Sequence, residues 1–126
     1  MKGLYAVVAV VGFGAALAVA QDKPAAAPVR EFKSVNIEVK GQKIWVPGTF
    51  IVKKGDKVKI TLINTAPSGV HAFAIEGYEK ATTVSVNNKE GDNSKTVEFT
   101  ADTAGLFRVW CPMHAPHVGG QLLVLE

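Results

Sequence analysis

The chain has 126 residues, of which 14 are basic and 11 acidic, and its mean hydropathy is slightly positive. This length predicts a single domain. A charge balance this close to neutral gives no basis for binding nucleic acid or an anionic membrane. The single cysteine excludes an internal disulfide.

Residues 1–20 have the pattern of a secretory signal. Lys2 gives a short positive start, residues 4–17 form an uncharged apolar run, and residues 18–20 are the small residues that a signal peptidase requires. The apolar run is shorter than the roughly 20 residues that a bilayer core requires. We therefore expect cleavage after Ala20, a periplasmic or otherwise exported protein, and a mature form that is not embedded in a membrane. An uncleaved anchor is the alternative.

The next segment, residues 21–29, reads QDKPAAAPV and predicts a short stiff linker. Loss of the leader with Lys2 leaves 13 basic and 11 acidic residues, so the mature domain is only mildly basic. The folded domain is predicted over residues 30–126. A domain of this size buries a modest core, and a bound metal would help to hold it together.

Most of the domain alternates apolar and polar residues with a period of two, which predicts half-buried strands. The residues that share the inward parity of these runs are Val35, Ile37, Val39, Val58, Ile60, Leu62, His71, Phe73, Ile75, Val97, Phe99, Phe107, Val109 and Cys111, followed by residues 122–125. Turn signals separate the runs, and no long segment has a helical period. Short strands at this spacing predict an antiparallel sandwich or barrel. Residues 81–86 could form a further strand, and residues 87–93 are predicted to be an exposed loop.

The segment W-C-P-M-H-A-P-H-V-G-G, residues 110–120, holds the only cysteine and two of the three histidines. A lone thiol in an oxidising compartment requires an explanation, because it has no partner for a disulfide within the chain. Pro112 and Pro116 stiffen the loop between Cys111 and His117. A thiolate and imidazoles are soft to borderline donors, which select copper or zinc over magnesium or calcium.

The third histidine, His71, lies forty residues before Cys111 and shares its strand parity with Phe73 and Ile75. Taken alone, His71 could be a buried histidine with an ordinary hydrogen bond. Because the other donors of these types all lie in one loop, we predict that four side chains converge on one metal ion. These are His71, Cys111, His114 and His117.

Three segments resemble the cupredoxins, the small copper-binding family. They read G-V-H-A-F-A-I, T-V-E-F-T-A-D-T-A-G-L-F-R-V-W-C-P-M-H and H-V-G-G-Q-L-L-V. The resemblance implies an all-β Greek-key sandwich or barrel with one copper ion. It also implies that His71, Cys111 and His114 form the trigonal plane of ligands.

The sequence departs from the family pattern at two positions. The spacing Cys-x-x-His-x-x-Met of amicyanin-like members places a weak axial methionine where this chain has His117. Met113 lies between two ligands and is expected to point away from the site. An axial imidazole favours Cu(II) more than a thioether does. We therefore expect a lower reduction potential than in a methionine-ligated relative, and a colour shifted from blue towards green, yellow or red. Many members also have an asparagine after the first histidine, whereas this chain has Ala72.

The resemblance implies an electron carrier that alternates between Cu(I) and Cu(II), and no paired carboxylates or nucleophile–base set beside the loop indicates an enzyme. His114 would be the electron port, and a redox protein would dock on the apolar surface around it, formed by Pro112, Met113, Ala115, Pro116 and Val118.

The sequence is also similar to the nitrosocyanin group, in the segments K-K-G-D, F-T-A-D-x-A-G and W-C-x-x-H. This similarity implies small-molecule catalysis or sensing as an alternative. Copper delivery or resistance and a structural zinc site stay open as well.

Overall fold

The computed structural model describes residues 25–114 and 117–126, which form ten strands and one helical turn. In chain order these elements are β1 Val29–Val39, β2 Gln42–Val46, β3 Thr49–Lys53, β4 Lys57–Asn64, β5 His71–Ile75, α1 Glu79–Thr82, β6 Val84–Val86, β7 Ser94–Thr100, β8 Gly105–Trp110, β9 His117–Val118 and β10 Gly120–Leu125.

The strands form two five-stranded sheets that pack as a sandwich. The first sheet has the order β7-β4-β1-β2-β9 and the second the order β3-β10-β8-β5-β6. The predicted all-β sandwich is therefore confirmed. The purely antiparallel arrangement was wrong, because β1 pairs in parallel with β4, β10 with β3, and β9 with β2. These pairs join strands that are distant in the chain, and the alternation within a strand does not show which strand it pairs with or in which direction.

The core between the sheets is closely packed with aromatic and aliphatic side chains. Its largest members are fully buried and include Phe50, Phe73, Ile60, Leu62, Ile75 and Leu122. The Phe73 ring lies edge-on to the rings of Trp45 and Phe50, with centroids 5.8 and 6.3 Å away. Every residue of β5 is buried, so the strand that begins at His71 is covered on both faces.

Strand β1 reverses the parity that its sequence suggests. Ser34 and Asn36 are fully buried, whereas Val35 and Ile37 are only partly buried and Val39 is 54% exposed. The Ser34 hydroxyl donates to the Pro47 carbonyl and the Asn36 amide donates to the Asn64 side chain, while the Asn36 Oδ1 has no partner among the described residues. A polar side chain can occupy a core position when its hydrogen bonds are made inside the protein.

The region after β5 contains a helical turn that the sequence does not reveal. The ambiguous residues 81–86 form the end of α1 and the short strand β6, not one continuous strand. The turn depends on Thr82, whose hydroxyl donates to the Tyr78 carbonyl and accepts the amide proton of Ile75. A single turn held by one side chain is too short to produce a helical period. Residues 87–93 form a loop, as expected.

The predicted secretory leader and the first four residues of the predicted linker lie outside the described residues. Residues 25–28 have no regular structure and are exposed, and β1 begins at Val29. Within the ranges 25–114 and 117–126, no helix has the length and apolar character needed to cross a bilayer.

Gly120 brings two backbones into close contact next to the histidine loop. The amide of Gln121 donates to the Gly48 carbonyl at 2.8 Å, and a Cβ on Gly120 would overlap the Gly48 backbone. Because backbone atoms cannot rotate away, we expect Gly120→Ala to cost about 1–3 kcal/mol of unfolding free energy or more. Urea unfolding measures this cost. Gly119→Ala, whose Cβ would meet only the Val109 carbonyl at 3.1 Å, is the milder control. Equal stability of the two variants would contradict the expectation.

Candidate metal centre

His71 is held in the core at the start of β5, with 1% of its surface exposed. Its Nε2 lies 2.9 Å from the Ser68 hydroxyl. Its Nδ1 is buried and has no hydrogen-bond partner among the residues that the structure describes. Buried polar atoms are rarely left unpaired in this way. The unpaired nitrogen therefore marks a position where a missing partner would bind.

Cys111 follows the end of β8, and its side chain is buried as a free thiol. Strand β8 pairs with β5 in antiparallel register, with Ala74 opposite Trp110. The predicted convergence of two distant segments therefore has a simple cause, because neighbouring strands of one sheet carry the cysteine and the first histidine to the same end.

His117 begins β9 and is half-buried. Strand β9 pairs with β2, with His117 opposite Lys43, so this histidine is held by the sheet that faces the one carrying His71 and Cys111. Its Nδ1 lies 3.4 Å from the Val118 carbonyl. Its Nε2 is buried and unpaired within the described part of the chain.

One donor atom from each of His71, Cys111 and His117 lies within 4.8 Å of the other two. We call this group the inner trio. It combines a sulfur with two imidazole nitrogens, a donor set that suits copper or zinc. The two imidazoles each have an unpaired buried nitrogen, so the residues present fit a bound metal ion of this kind.

His114 lies at the exposed side of the inner trio. Its Nδ1 is 3.8 Å from the Cys111 sulfur, and its ring centroid is 4.9 Å from that of His71. All four sequence-predicted residues are thus near one another, but His114 is exposed and His117 is not. The resemblance assigned the plane to His71, Cys111 and His114, whereas the structure groups His117 with the first two. The role of each residue as a ligand stays a prediction.

Met113 was expected to point away from the donors, and that orientation stays a prediction. It is 51% exposed, and its sulfur lies 3.5 Å from the Ser85 hydroxyl on β6. The loop residues Ala115 and Pro116 lie outside the described residues.

Three supporting residues were missed by sequence reasoning. The Trp45 indole donates to the Ala72 carbonyl at 3.1 Å, which supports the backbone where many relatives have an asparagine. Asn64 donates to the carbonyls of Gly69 and Val86. Ser68 contacts His71 itself. A serine three residues before a predicted ligand was the only available signal, and serines are too common in turns for that to be specific.

Burial lowers the pKa of His71 below its ordinary value, and the neighbouring charges of His114 and His117 act in the same direction. Burial also lowers the pKa of His117, against a smaller opposite effect of its contact with the Val118 carbonyl. A metal ion binds the neutral form of imidazole. Because their pKa values are lowered, His71 and His117 are both in that form at neutral pH.

These shifts predict an acid-sensitive metal-free protein. The unfolded chain binds protons at an imidazole pKa of about 6.5, above the lowered pKa values of the folded state. The contribution of His71 and His117 to the free energy of unfolding is therefore fully present above about pH 6.5. It is lost as the pH falls through their lower pKa values in the folded state. Urea unfolding of the metal-free protein at pH 8 and pH 5 measures this loss. The His71→Gln/His117→Gln double variant should show a flatter dependence, and a wild-type stability that rises towards pH 5 would contradict the argument.

A β-sandwich with a cysteine and three histidines gathered at one end defines a small metalloprotein of the copper-binding class. The sequence matches the cupredoxin-like domain family over residues 7–124, and the chain therefore belongs to that family. No curated protein sequence matches it significantly.

Solved structures show the same fold. The chain is 20% identical to the multicopper oxidase mgLAC over 77% of its own length, with a TM-score of 0.59. It is 22% identical to the copper nitrite reductase of Nitrosomonas europaea over 77%, also with a TM-score of 0.59. It spans 39% and 41% of those two chains. Dithionite-reduced auracyanin of Roseiflexus castenholzii, a photosynthetic bacterium, is 15% identical over 76% of this chain and 97% of its own, with a TM-score of 0.55. At these identities the likeness concerns the fold alone.

Proposed function

We propose that the protein is an exported mononuclear copper protein that carries electrons. The observation that supports the proposal most directly is the inner trio, in which one donor atom from each of a buried cysteine and two histidines lies within 4.8 Å of the other two. Each of the two imidazoles also has a buried nitrogen with no partner among the described residues. The proposed ligands are His71, Cys111 and His117, with His114 as a fourth donor at the exposed side. Copper bound there would supply a one-electron couple between Cu(I) and Cu(II).

The strands that hold the three donor residues suit electron transfer. Electron transfer is fast when the ligands move little as the metal changes its oxidation state. His71 is fixed in a fully buried strand, Cys111 follows the strand paired with it, and His117 is held by pairing with β2. Ligands locked by packing and hydrogen bonds keep their positions when the charge of the site changes.

The exposed side provides a surface for a partner. Met113 and Val118 are 51% and 44% exposed, and Pro112 is also exposed beside His114. A small apolar surface favours the weak and brief encounters that are typical of redox partners. We propose that a redox protein docks there and that His114 is the port.

Cyclic voltammetry of the copper-loaded protein tests the proposal. We expect a reversible one-electron couple that is absent from the Cys111→Ser variant, at a lower potential than in methionine-ligated relatives. An irreversible couple, or one that survives loss of the sulfur, would contradict electron transfer at this site.

A second candidate function is small-molecule binding in the manner of the nitrosocyanin group. The exposed position of His114 favours it, because an exposed ligand can be displaced by a small anion. Azide or nitrite added to the copper-loaded protein separates the two functions. A carrier should show little spectral change, whereas a binding or catalytic site should show a saturable one.

A further inference from the structure

We infer that Ser68 is a positioning residue that selects the tautomer of His71 and so presents Nδ1 as a donor. This inference rests on the proposed metal site. It concerns the hydrogen bond on the outer side of the imidazole, where Ser68 Oγ lies 2.9 Å from Nε2.

The first step is the chemistry of a neutral imidazole, which carries its proton on only one nitrogen. If Nε2 carries the proton, it donates to the Ser68 hydroxyl and leaves the Nδ1 lone pair free. The other tautomer would leave a buried N–H on Nδ1 with no acceptor among the described residues. Orphaned buried donors are rarer in proteins than under-used acceptors. The geometry therefore favours the tautomer that can bind a metal through Nδ1.

The second step is that the buried side chain of Asn64 holds the loop that carries Ser68 in place. The Asn64 side chain is fully buried, and its amide donates to the Gly69 carbonyl at 2.6 Å and to the Val86 carbonyl at 2.9 Å. Its oxygen accepts from the Ala66 amide and from the Asn36 side chain. Because both the amide and the oxygen of Asn64 are hydrogen-bonded, this buried side chain rigidifies the backbone around it.

Asn64 thus fixes residues on both sides of Ser68, and Ser68 then orients His71. This chain has Ala72 where many relatives have an asparagine, so the support for the ligand strand comes from the preceding loop and from the Trp45 indole. Outer hydrogen bonds of this kind fix the tautomer and ring orientation of metal-binding histidines, and losing one costs about 10–100-fold in metal affinity.

Three variants test the inference. Ser68→Ala removes the hydroxyl, Ser68→Thr keeps it, and Ser94→Ala removes an exposed serine of β7 as the matched control. Two properties are measured at pH 8. Long-range ¹H–¹⁵N spectra of the metal-free proteins report which nitrogen of His71 carries the proton. Competition titration with cobalt(II) as the probe gives the affinity, and the thiolate absorption reports binding at Cys111.

We expect wild-type His71 to be protonated on Nε2 and Ser68→Ala to lose that preference. Cobalt affinity should fall about 10–100-fold in Ser68→Ala, whereas Ser68→Thr should restore it because threonine retains the hydroxyl. Ser94→Ala should match the wild type in both measurements.

If the His71 proton stayed on Nε2 in Ser68→Ala, the inference would be overturned, whether or not the cobalt affinity fell. A loss of affinity alone could come from a disturbed fold. A wild-type protein that bound neither cobalt nor copper would instead refute the proposed function. The spectra of the metal-free protein would still decide the role of Ser68.

Discussion

Replacing His117 by alanine should weaken copper(II) binding more than about 100-fold, which exceeds the cost of losing a supporting hydrogen bond. The reason is that His117 belongs to the inner trio, is held by the pairing of β9 with β2, and has a buried Nε2 with no partner among the described residues. Removing it leaves His71 and Cys111 with the exposed His114, whose Nδ1 lies 3.8 Å from the Cys111 sulfur. Competition with a chelator of known affinity measures the change, and circular dichroism checks that the fold is retained.

His114→Ala is the matched control, because it removes the same side chain from the same loop. We expect its copper affinity to fall at least tenfold less than that of His117→Ala. Because His114 is exposed, added imidazole should enter the vacated position and restore the spectrum. A larger loss for His114→Ala than for His117→Ala would contradict the inner trio and favour the plane that the family resemblance implies.

Replacing Phe73 by alanine should lower the free energy of unfolding by about 3–5 kcal/mol, the usual cost of removing a buried aromatic ring. Phe73 is fully buried and lies two residues after His71 on β5, between Trp45 and Phe50. A domain of this size has a total stability of about 5–15 kcal/mol, so this single change removes a large part of it. Urea unfolding of the metal-free protein measures the loss.

The effect should extend to the metal site. The Trp45 ring packs on Phe73, while its indole nitrogen donates to the Ala72 carbonyl beside His71. Loss of Phe73 should therefore loosen the strand that holds His71 as well as the core. Phe73→Leu should cost less because it leaves a smaller cavity. Leu106→Ala, at a residue that is 65% exposed, should stay within about 0.5 kcal/mol of the wild type. Similar losses for Phe73→Ala and Leu106→Ala would contradict this view of the core.

The alternation of apolar residues in β4, β5, β7 and β8 was enough to predict the sandwich. Burial alternates along β4, β7 and β8 as this pattern predicts, whereas every residue of β5 is buried. Strand β1 misled the prediction because Ser34 and Asn36 are buried through partners in β4 and the Pro47 turn. A sequence pattern measures hydrophobicity, and it cannot show that a distant residue will satisfy a polar side chain.

The sequence predicted which residues lie at the candidate site, but it did not predict how they are arranged. One cysteine and three histidines are few enough that counting them predicted a shared location. The position of His117 beside His71 and Cys111 depends on the pairing of β9 with β2, a contact between segments about seventy residues apart. The contact of Ser68 with His71 depends on how Asn64 shapes the loop between them, which the local sequence does not specify.

The most direct test of the central claim is metal analysis of the copper-loaded mature domain, combined with optical and EPR spectra of the wild type and of Cys111→Ser. The account predicts one copper per chain and an intense sulfur-to-copper absorption, shifted from blue towards green, yellow or red by the additional imidazole. That absorption should vanish in Cys111→Ser. A protein that retained no copper, or whose copper spectrum was the same with and without the sulfur, would contradict the claim that Cys111 and the histidines hold one copper ion.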